Sequence, residues 1–186
     1  MIPIFVLVFF LKILPYNYLI AGVIFLIAAL TDFVDGRIAR SRNLVTNLGK
    51  FLDPIADKVL VATAFMLLLA AKEDIFGKLG SSTNGIYIAV AICVCVIMAR
   101  ELIISAFRQI AAANGIIMAA EKLGKYKTAT QDTCIFIILT SGSIAGMAGL
   151  IILWVGLAFF VAATILTIVS GISYVVKNKQ VLKDKE

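Results

Sequence analysis

Four aspartates lie in one short polar stretch between two long apolar runs. Residues 32–58 read DFVDGRIARSRNLVTNLGKFLDPIADK and contain Asp32, Asp35, Asp53 and Asp57. On a helix, residues three or four apart share a face, so each pair projects from one side of its helix. If the two helices pack against each other, the four carboxylates meet.

Grouped carboxylates require compensating positive charge. They repel one another, and beside an apolar core they cannot all stay ionised without a cation. Oxygen ligands suit Mg²⁺, Mn²⁺ or Ca²⁺, and a chain with 0 histidines argues against zinc or copper. The stretch therefore predicts a divalent-cation site, with enough carboxylates for two ions that share ligands.

The gaps between the polar residues of this stretch match a known signature. The spacing is Asp32-x2-Asp35-Gly36-x2-Ala39-Arg40-x8-Gly49-x3-Asp53-x3-Asp57. It resembles the signature of the CDP-alcohol phosphotransferase family at every fixed position. Within that family, the stretch is most similar to the bacterial phosphatidylglycerophosphate synthases.

The resemblance implies a reaction and its metal ions. It implies transfer of the phosphatidyl group of CDP-diacylglycerol to sn-glycerol 3-phosphate, with release of CMP, by a homodimer. Two Mg²⁺ or Mn²⁺ ions would be held mainly by Asp32, Asp35 and Asp53. Asp57 would complete the second metal site and act as the general base.

The same resemblance assigns the CDP-diacylglycerol site to Asp32, Gly36, Ala39, Arg40 and Gly49. The two glycines would let the cytidine diphosphate lie against the backbone, and Ala39 would extend that smooth face. Arg40 would hold a phosphate. The alternatives are that the glycines serve close helix packing and that Arg40 anchors the chain at the membrane surface.

A second basic cluster follows later in the chain. Arg100 and Arg108, with Lys125 and Lys127 on the same membrane side, are candidates for an anion pocket. Related synthases use such a pocket for the phosphate of the acceptor, and a serine acceptor would not need one. The alternative is that Glu101 pairs with one of these cations.

Other functions stay open at this point. Within the family, cardiolipin synthase, phosphatidylinositol phosphate synthase and phosphatidylserine synthase use other acceptors. A divalent-cation transporter is the alternative from another class, because acidic residues in helices also mark ion pathways. Against it, the polar residues lie towards one side, and the sequence has no internal repeat. Nucleic acid is not expected as a partner, because the basic residues flank hydrophobic spans rather than form a surface.

The composition is that of an integral membrane protein. The chain has 186 residues, of which 62% are hydrophobic, and a mean hydropathy of +1.05. We predict an all-α fold, a single membrane domain over residues 1–186 with six transmembrane helices in one bundle. The predicted spans are 2–14, 18–40, 47–71, 85–113, 129–144 and 149–176. The first span is short for a bilayer, which indicates an incomplete N-terminal segment.

The distribution of basic residues predicts the topology. With six spans, Lys12, Lys72 and Lys78 lie on one side of the membrane, and the other 14 of the 17 lysines and arginines lie on the side of the aspartates. The positive-inside rule then places both termini and the active site at the cytoplasmic face of the cell membrane. The basic stretch 121–128 is predicted to be a connector, and Asp132 beyond it to be solvated.

Overall fold

A computed structural model provides the fold. It describes residues 1–14, 16–41, 47–113 and 122–177. Within these ranges, a set of side chains in and around two helix ends also lies outside the description: those of residues 33, 36, 37, 39–41, 47–54, 112, 113 and 122.

The described residues are helical, which confirms the all-α prediction. The described ranges contain six α-helices: α1 (Ile2–Phe10), α2 (Asn17–Ser41), α3 (Asn47–Ala70), α4 (Thr83–Ala113), α5 (Lys122–Ser143) and α6 (Gly146–Lys177). Between α3 and α4, a π-helical turn (Lys72–Phe76) runs directly into a 3-10 turn (Gly77–Ser82). These two turns form the connector 72–82.

The start of α5 differs from the sequence prediction. The stretch 121–128 was predicted to be a connector, but the helix already begins at Lys122. The glycine and lysines that suggested a loop are tolerated because Lys127 is buried, with 4% of its surface exposed, and bonds to a neighbouring helix. Tertiary contact here outweighs the weak helix propensity of Gly124.

The first two helices pack through aromatic side chains. Phe5 and Phe9, one turn apart on α1, are buried against Phe25 and Tyr18 of α2, with ring centroids 5.9 and 5.0 Å apart. Asn17 closes the turn by donating its side-chain amide to the Phe9 carbonyl at 2.8 Å. These contacts fasten the first half of α2 to α1.

Helices α5 and α6 form a close hairpin. At Gly156, a β-carbon would lie 2.6 Å from Ile138 Cγ1, so only glycine allows this approach. The chain reverses through residues 144–145, and Gly146 opens α6 with a φ of +69°. Phe160 of α6 also contacts Phe65 of α3, with centroids 6.0 Å apart. This hairpin therefore connects α3 to the centre of the bundle.

Among the described residues, two helical stretches are long and apolar enough to cross a membrane. They are Lys72–Ala111 and Gly146–Lys177, which contain 18-residue segments with mean hydropathies of 2.4 and 2.6. A shorter apolar helix covers Asn17–Asp32. Many large apolar side chains on these helices face outwards, as lipid contact requires.

The connector 72–82 is fastened to the ends of three helices. Asp74 accepts hydrogen bonds from Tyr18 at the start of α2 and from Lys12. Lys78 donates to the carbonyls of Ser141 and Ile144 at the end of α5. A cation at a helix C-terminus satisfies carbonyls that have no partner within the helix. We call this cluster the connector end.

Candidate active site

The aspartate motif spans the end of α2 and the start of α3. Asp32 and Asp35 lie on α2 and are exposed, and Asp57 lies two turns or more inside α3. Only residues 42–46 separate the two helices, so chain connectivity keeps these ends close. Asp53 lies on α3, but its side chain is outside the described part, so the predicted meeting of four carboxylates stays a prediction.

The side chains predicted to bind CDP-diacylglycerol are also mostly outside the described part of the chain. Gly36, Ala39 and Arg40 lie on α2 and Gly49 on α3, as the helical interpretation required. The side-chain positions at these four residues lie outside the described part of the chain. Their assignment to CDP-diacylglycerol remains a prediction.

Asp57 opens onto a cleft between three helices. The cleft is narrow and encloses about 10 Å³, room for about one water molecule. Its lining residues come from α3, α4 and α5, and we call it the charged cleft: Asp57, Lys58, Val61, Met98, Glu101, Lys127, Thr128 and Gln131. It lies in the half of the bundle away from the connector end, because Asp57 is in the first half of α3 and Lys127 is in the first two turns of α5.

Glu101 forms ion pairs with two of the cations that were predicted to bind phosphate. Its Oε1 atom lies 2.8 Å from Arg100 Nη1 and 2.7 Å from Lys127 Nζ. The exposed fractions of the side chains are 18% for Arg100 and Glu101 and 5% for Lys127, so these are largely buried pairs. Removing one partner of a buried pair leaves an uncompensated charge, at a typical cost of about 3–5 kcal/mol. The predicted alternative of pairing with Glu101 thus applies to two cations at once, and one surplus positive charge remains to attract an anion.

Helix α6 supports both arginines from behind. Ser170 accepts a hydrogen bond from Arg100 Nη2 at 2.9 Å, and Tyr174, one turn on, accepts one from Arg108 Nε at 3.0 Å. The Arg108 guanidinium also stacks on the Tyr174 ring, 5.0 Å from its centroid. At Gly171, a β-carbon would lie 3.0 Å from Arg100 Nε. These contacts hold Arg100 and Arg108 in defined orientations.

Two oxygens beside the cleft have no hydrogen-bond partner among the described residues: Gln131 Oε1 and Asp132 Oδ1. Asp132 was predicted to be solvated, and the burial of this oxygen corrects that expectation. A buried polar atom without a partner typically costs about 1–3 kcal/mol. Polar atoms of this kind at a cleft are ready to receive a ligand.

The structure brings only part of the predicted anion pocket together. Arg100 and Lys127 meet on Glu101, and Arg108 lies two turns along α4 from Glu101. Lys125 is exposed, and no described contact brings it to the charged cleft. The membership of all four residues in an acceptor site remains a prediction.

Sequence reasoning missed the supporting residues on α6 and the role of Gln131. One signal was present: Ser170 and Tyr174 have helical i,i+4 spacing near the polar end of a long apolar run. Gln131 likewise follows Lys127 by four residues, on the same face of α5. Polar side chains at helical spacing in apolar runs thus point to the interior of the bundle.

The residues present fit a hard divalent cation by their chemistry. The motif supplies only carboxylate oxygens, the donors that Mg²⁺ and Mn²⁺ prefer. Among the side chains that the structure describes, no group of three or more histidine, cysteine, aspartate or glutamate residues is close enough to hold a metal. The full donor set would need Asp53, whose side chain lies outside that part.

Comparison with known proteins agrees with this arrangement. The sequence profile of the CDP-alcohol phosphatidyltransferase family matches residues 1–169. A Bacillus subtilis (strain 168) protein named CDP-diacylglycerol–glycerol-3-phosphate 3-phosphatidyltransferase is 36% identical over 178 residues, covering 91% of this chain and 79% of its own length. Proteins of the same name are 35% identical in Rickettsia bellii, over 93% of this chain and 86% of the relative, and in Escherichia coli K12, over 100% and 92%.

These matches confirm the resemblance seen in the motif and extend it over nearly the whole chain. The protein is therefore a transferase of phospholipid biosynthesis that resides in a membrane. The chain belongs to the CDP-alcohol phosphatidyltransferase family.

Proposed function

We propose that the protein transfers the phosphatidyl group of CDP-diacylglycerol to sn-glycerol 3-phosphate, giving phosphatidylglycerophosphate and CMP. Relatives with this activity in their names cover nearly the whole chain. The observation that carries the acceptor assignment is the charged cleft, where Asp57, Glu101 and Lys127 line one space and Glu101 also pairs with Arg100 beside it. A proton acceptor beside surplus positive charge suits an alcohol that carries a phosphate.

In this reaction Asp57 is the general base. It takes the proton of the primary hydroxyl of glycerol 3-phosphate as that oxygen bonds to the phosphorus that carries the diacylglycerol. The bond from this phosphorus to the CMP oxygen breaks, and CMP leaves with the electron pair. Arg100, Arg108 and Lys127 attract the acceptor's phosphate, and the exposed Lys125, two residues before Lys127 on α5, adds to this attraction.

The aspartates supply the other half of the site. Asp32, Asp35, Asp53 and Asp57 would hold two Mg²⁺ or Mn²⁺ ions, which when bound neutralise the diphosphate and the departing CMP. Arg40 binds a phosphate of the donor, and the donor's cytidine lies along Gly36, Ala39 and Gly49. Support for this assignment comes from the all-carboxylate donor set and from the family match.

The membrane arrangement that suits this chemistry has six spans in one bundle. Both termini and the charged cleft face the cytoplasm at the cell membrane, since most of the basic residues then lie inside. The acyl chains of the donor stay among the membrane lipids while its headgroup reaches the rim. Two copies form a homodimer, as the motif resemblance implies.

One assay tests the proposal. Purified protein in detergent or vesicles is given CDP-diacylglycerol and Mg²⁺, and CMP release is measured with different acceptors. We expect rapid release with sn-glycerol 3-phosphate, and release slower by about a hundredfold or more with serine, inositol, inositol 1-phosphate or phosphatidylglycerol, because a site built for one acceptor loses its polar contacts with another. EDTA should abolish release, and Mg²⁺ or Mn²⁺ should restore it.

The acceptors also serve as controls for one another. Faster release with phosphatidylglycerol than with glycerol 3-phosphate would assign the chain to cardiolipin synthesis. Preference for inositol 1-phosphate or serine would reassign the acceptor in the same way. Activity that survives EDTA unchanged would refute the metal assignment.

A further inference from the structure

Gln131 is a buried polar side chain with an unmet hydrogen bond. Only 2% of its surface is exposed, and its Oε1 atom has no partner among the described residues. A carbonyl oxygen withdrawn from water in this way is costly to leave empty. Because Gln131 lines the charged cleft, a molecule that enters the cleft can supply the missing donor.

The polar residues near Gln131 already form ion pairs or have a proposed catalytic role. Lys127, one turn earlier on α5, donates to Glu101 at 2.7 Å, and Glu101 also binds Arg100. Asp57 lines the same cleft and is the proposed base. The amide oxygen of Gln131 is a hydrogen-bond acceptor that is neither base nor ion-pair partner.

The proposed acceptor has three polar groups, and the residues discussed so far account for two of them. Glycerol 3-phosphate presents a phosphate, a primary hydroxyl that reacts, and a second hydroxyl on its central carbon. The cations suit the phosphate, and Asp57 suits the reacting hydroxyl. The remaining hydroxyl needs an acceptor for its proton, and an amide oxygen provides one without taking the proton away.

We propose that Gln131 is a specificity-determining residue, whose Oε1 accepts a hydrogen bond from the central hydroxyl of the acceptor alcohol. This inference rests on the proposed function. Gln131 thereby distinguishes a glycerol-type acceptor from a phosphorylated alcohol that lacks the central hydroxyl. A site built to bond a substrate hydroxyl rejects the analogue without it, because the buried partner is then left empty.

The test compares two acceptors in two proteins. Values of kcat/KM for CMP release are measured with sn-glycerol 3-phosphate and with 3-hydroxypropyl phosphate, which lacks only the central hydroxyl. We expect wild-type protein to favour glycerol 3-phosphate by about tenfold, the factor that one hydrogen bond provides. Gln131→Leu should lose about tenfold with glycerol 3-phosphate and change little with the analogue, so that the preference disappears.

Gln109→Leu is the matched control. Gln109 is exposed on α4 and is not part of the charged cleft, so this variant should keep the wild-type preference. Gln131→Asn retains an amide on a shorter side chain and should recover part of the preference. Should Gln131→Leu fail to fold, the wild-type preference and the Gln131→Asn variant still decide the question.

Three results would overturn the inference. Wild-type protein that uses both acceptors equally well has no residue that recognises the central hydroxyl. A preference that persists in Gln131→Leu, whether or not both rates fall, assigns Gln131 to packing or to a bound water. If wild-type protein releases CMP with another acceptor but not with glycerol 3-phosphate, the proposed function fails and this inference fails with it.

Discussion

The two ends of the helical bundle treat charge in opposite ways. At the connector end, Asp74 binds Tyr18 and Lys12, and Lys78 binds two carbonyl oxygens. At the charged cleft, two cations share one carboxylate oxygen, and Gln131 Oε1 has no partner in the described part of the chain. The contacts at the connector end stabilise the fold, whereas the charged cleft retains positive charge and a hydrogen-bond acceptor that a ligand can use.

The comparison teaches where to look for function in a membrane bundle. Polar residues are costly at either end, so their presence alone does not separate the two roles. Hydrogen bonding does: a polar group whose partners all lie inside the protein stabilises the fold, whereas a buried polar group that lacks a partner is available to a ligand or a water molecule. Substitutions of the same kind at both ends should therefore have different consequences.

The largest difference is expected between two Asp→Asn variants. Asp57→Asn removes the proposed base and should lower CMP release by at least about a hundredfold, while CDP-diacylglycerol binding is partly retained. Asp74→Asn at the connector end should keep activity within about twofold, because Asp74 touches no part of the cleft. Turnover with glycerol 3-phosphate and binding of CDP-diacylglycerol are the measurements.

Wild-type turnover in the Asp57 variant would remove it as the base. A loss of turnover in the Asp74 variant that matched the loss in Asp57→Asn would contradict the division of the bundle into a closed end and a reactive end. Thermal unfolding of both variants shows whether either result reflects misfolding.

An intermediate effect is expected at Gly171. In Gly171→Ala, the new methyl group meets Arg100 Nε at 3.0 Å and Cγ at 3.1 Å, so Arg100 must shift. We expect KM for glycerol 3-phosphate to rise by about tenfold with kcat nearly unchanged, as for a lost contact of about 1.4 kcal/mol. Gly85→Ala is the control, because a β-carbon there meets nothing within 4 Å.

A KM that stays constant in Gly171→Ala would show that Arg100 does not bind the acceptor's phosphate. An equal fall in kcat and kcat/KM would instead place Arg100 at the reacting atoms.

The smallest effect is expected from loss of one hydroxyl. Tyr174→Phe removes the hydrogen bond from Arg108 at 3.0 Å but keeps the ring beneath the guanidinium. KM for glycerol 3-phosphate should rise by about threefold, within the range for one hydrogen bond. Tyr87→Phe removes a hydroxyl that donates to the Leu69 carbonyl near the connector end and should leave KM unchanged. Equal effects of the two variants would show that Tyr174 acts on the fold in general.

The sequence predicted the elements of the fold better than the contacts between them. Apolar runs with polar interruptions placed α2, α3, α4 and α6 within a few residues of their observed bounds. The start of α5 was wrong, because lysines and a glycine are typical of a loop until one of the lysines finds a buried partner. Local composition carries no information about that partner.

In the site, too, the sequence predicted the local spacing of residues better than the contacts between distant parts of the chain. The aspartate spacing identified the family because its residues are neighbours along two helices. The contact of Lys127 with Glu101 joins residues 26 positions apart, and that of Arg100 with Ser170 joins residues 70 apart. Such contacts depend on how each helix is rotated about its axis, which periodicity constrains only to the nearest broad face.

The bonds from Lys78 to the end of α5 bear on how the chain enters a bilayer. Residues 133–176 contain no lysine, arginine, aspartate or glutamate, so the second half of α5 and all of α6 before its last residue carry no ionised side chain. Each such group near the middle of a helix adds about 2.5–3.5 kcal/mol to the cost of insertion. The ammonium group that binds the carbonyls at the end of α5 is that of Lys78, which precedes both helices in the chain. The last two helices can therefore enter a bilayer without the cost of ionised side chains in their apolar parts. Lys78 then stabilises the turn between them by binding the carbonyl oxygens of Ser141 and Ile144.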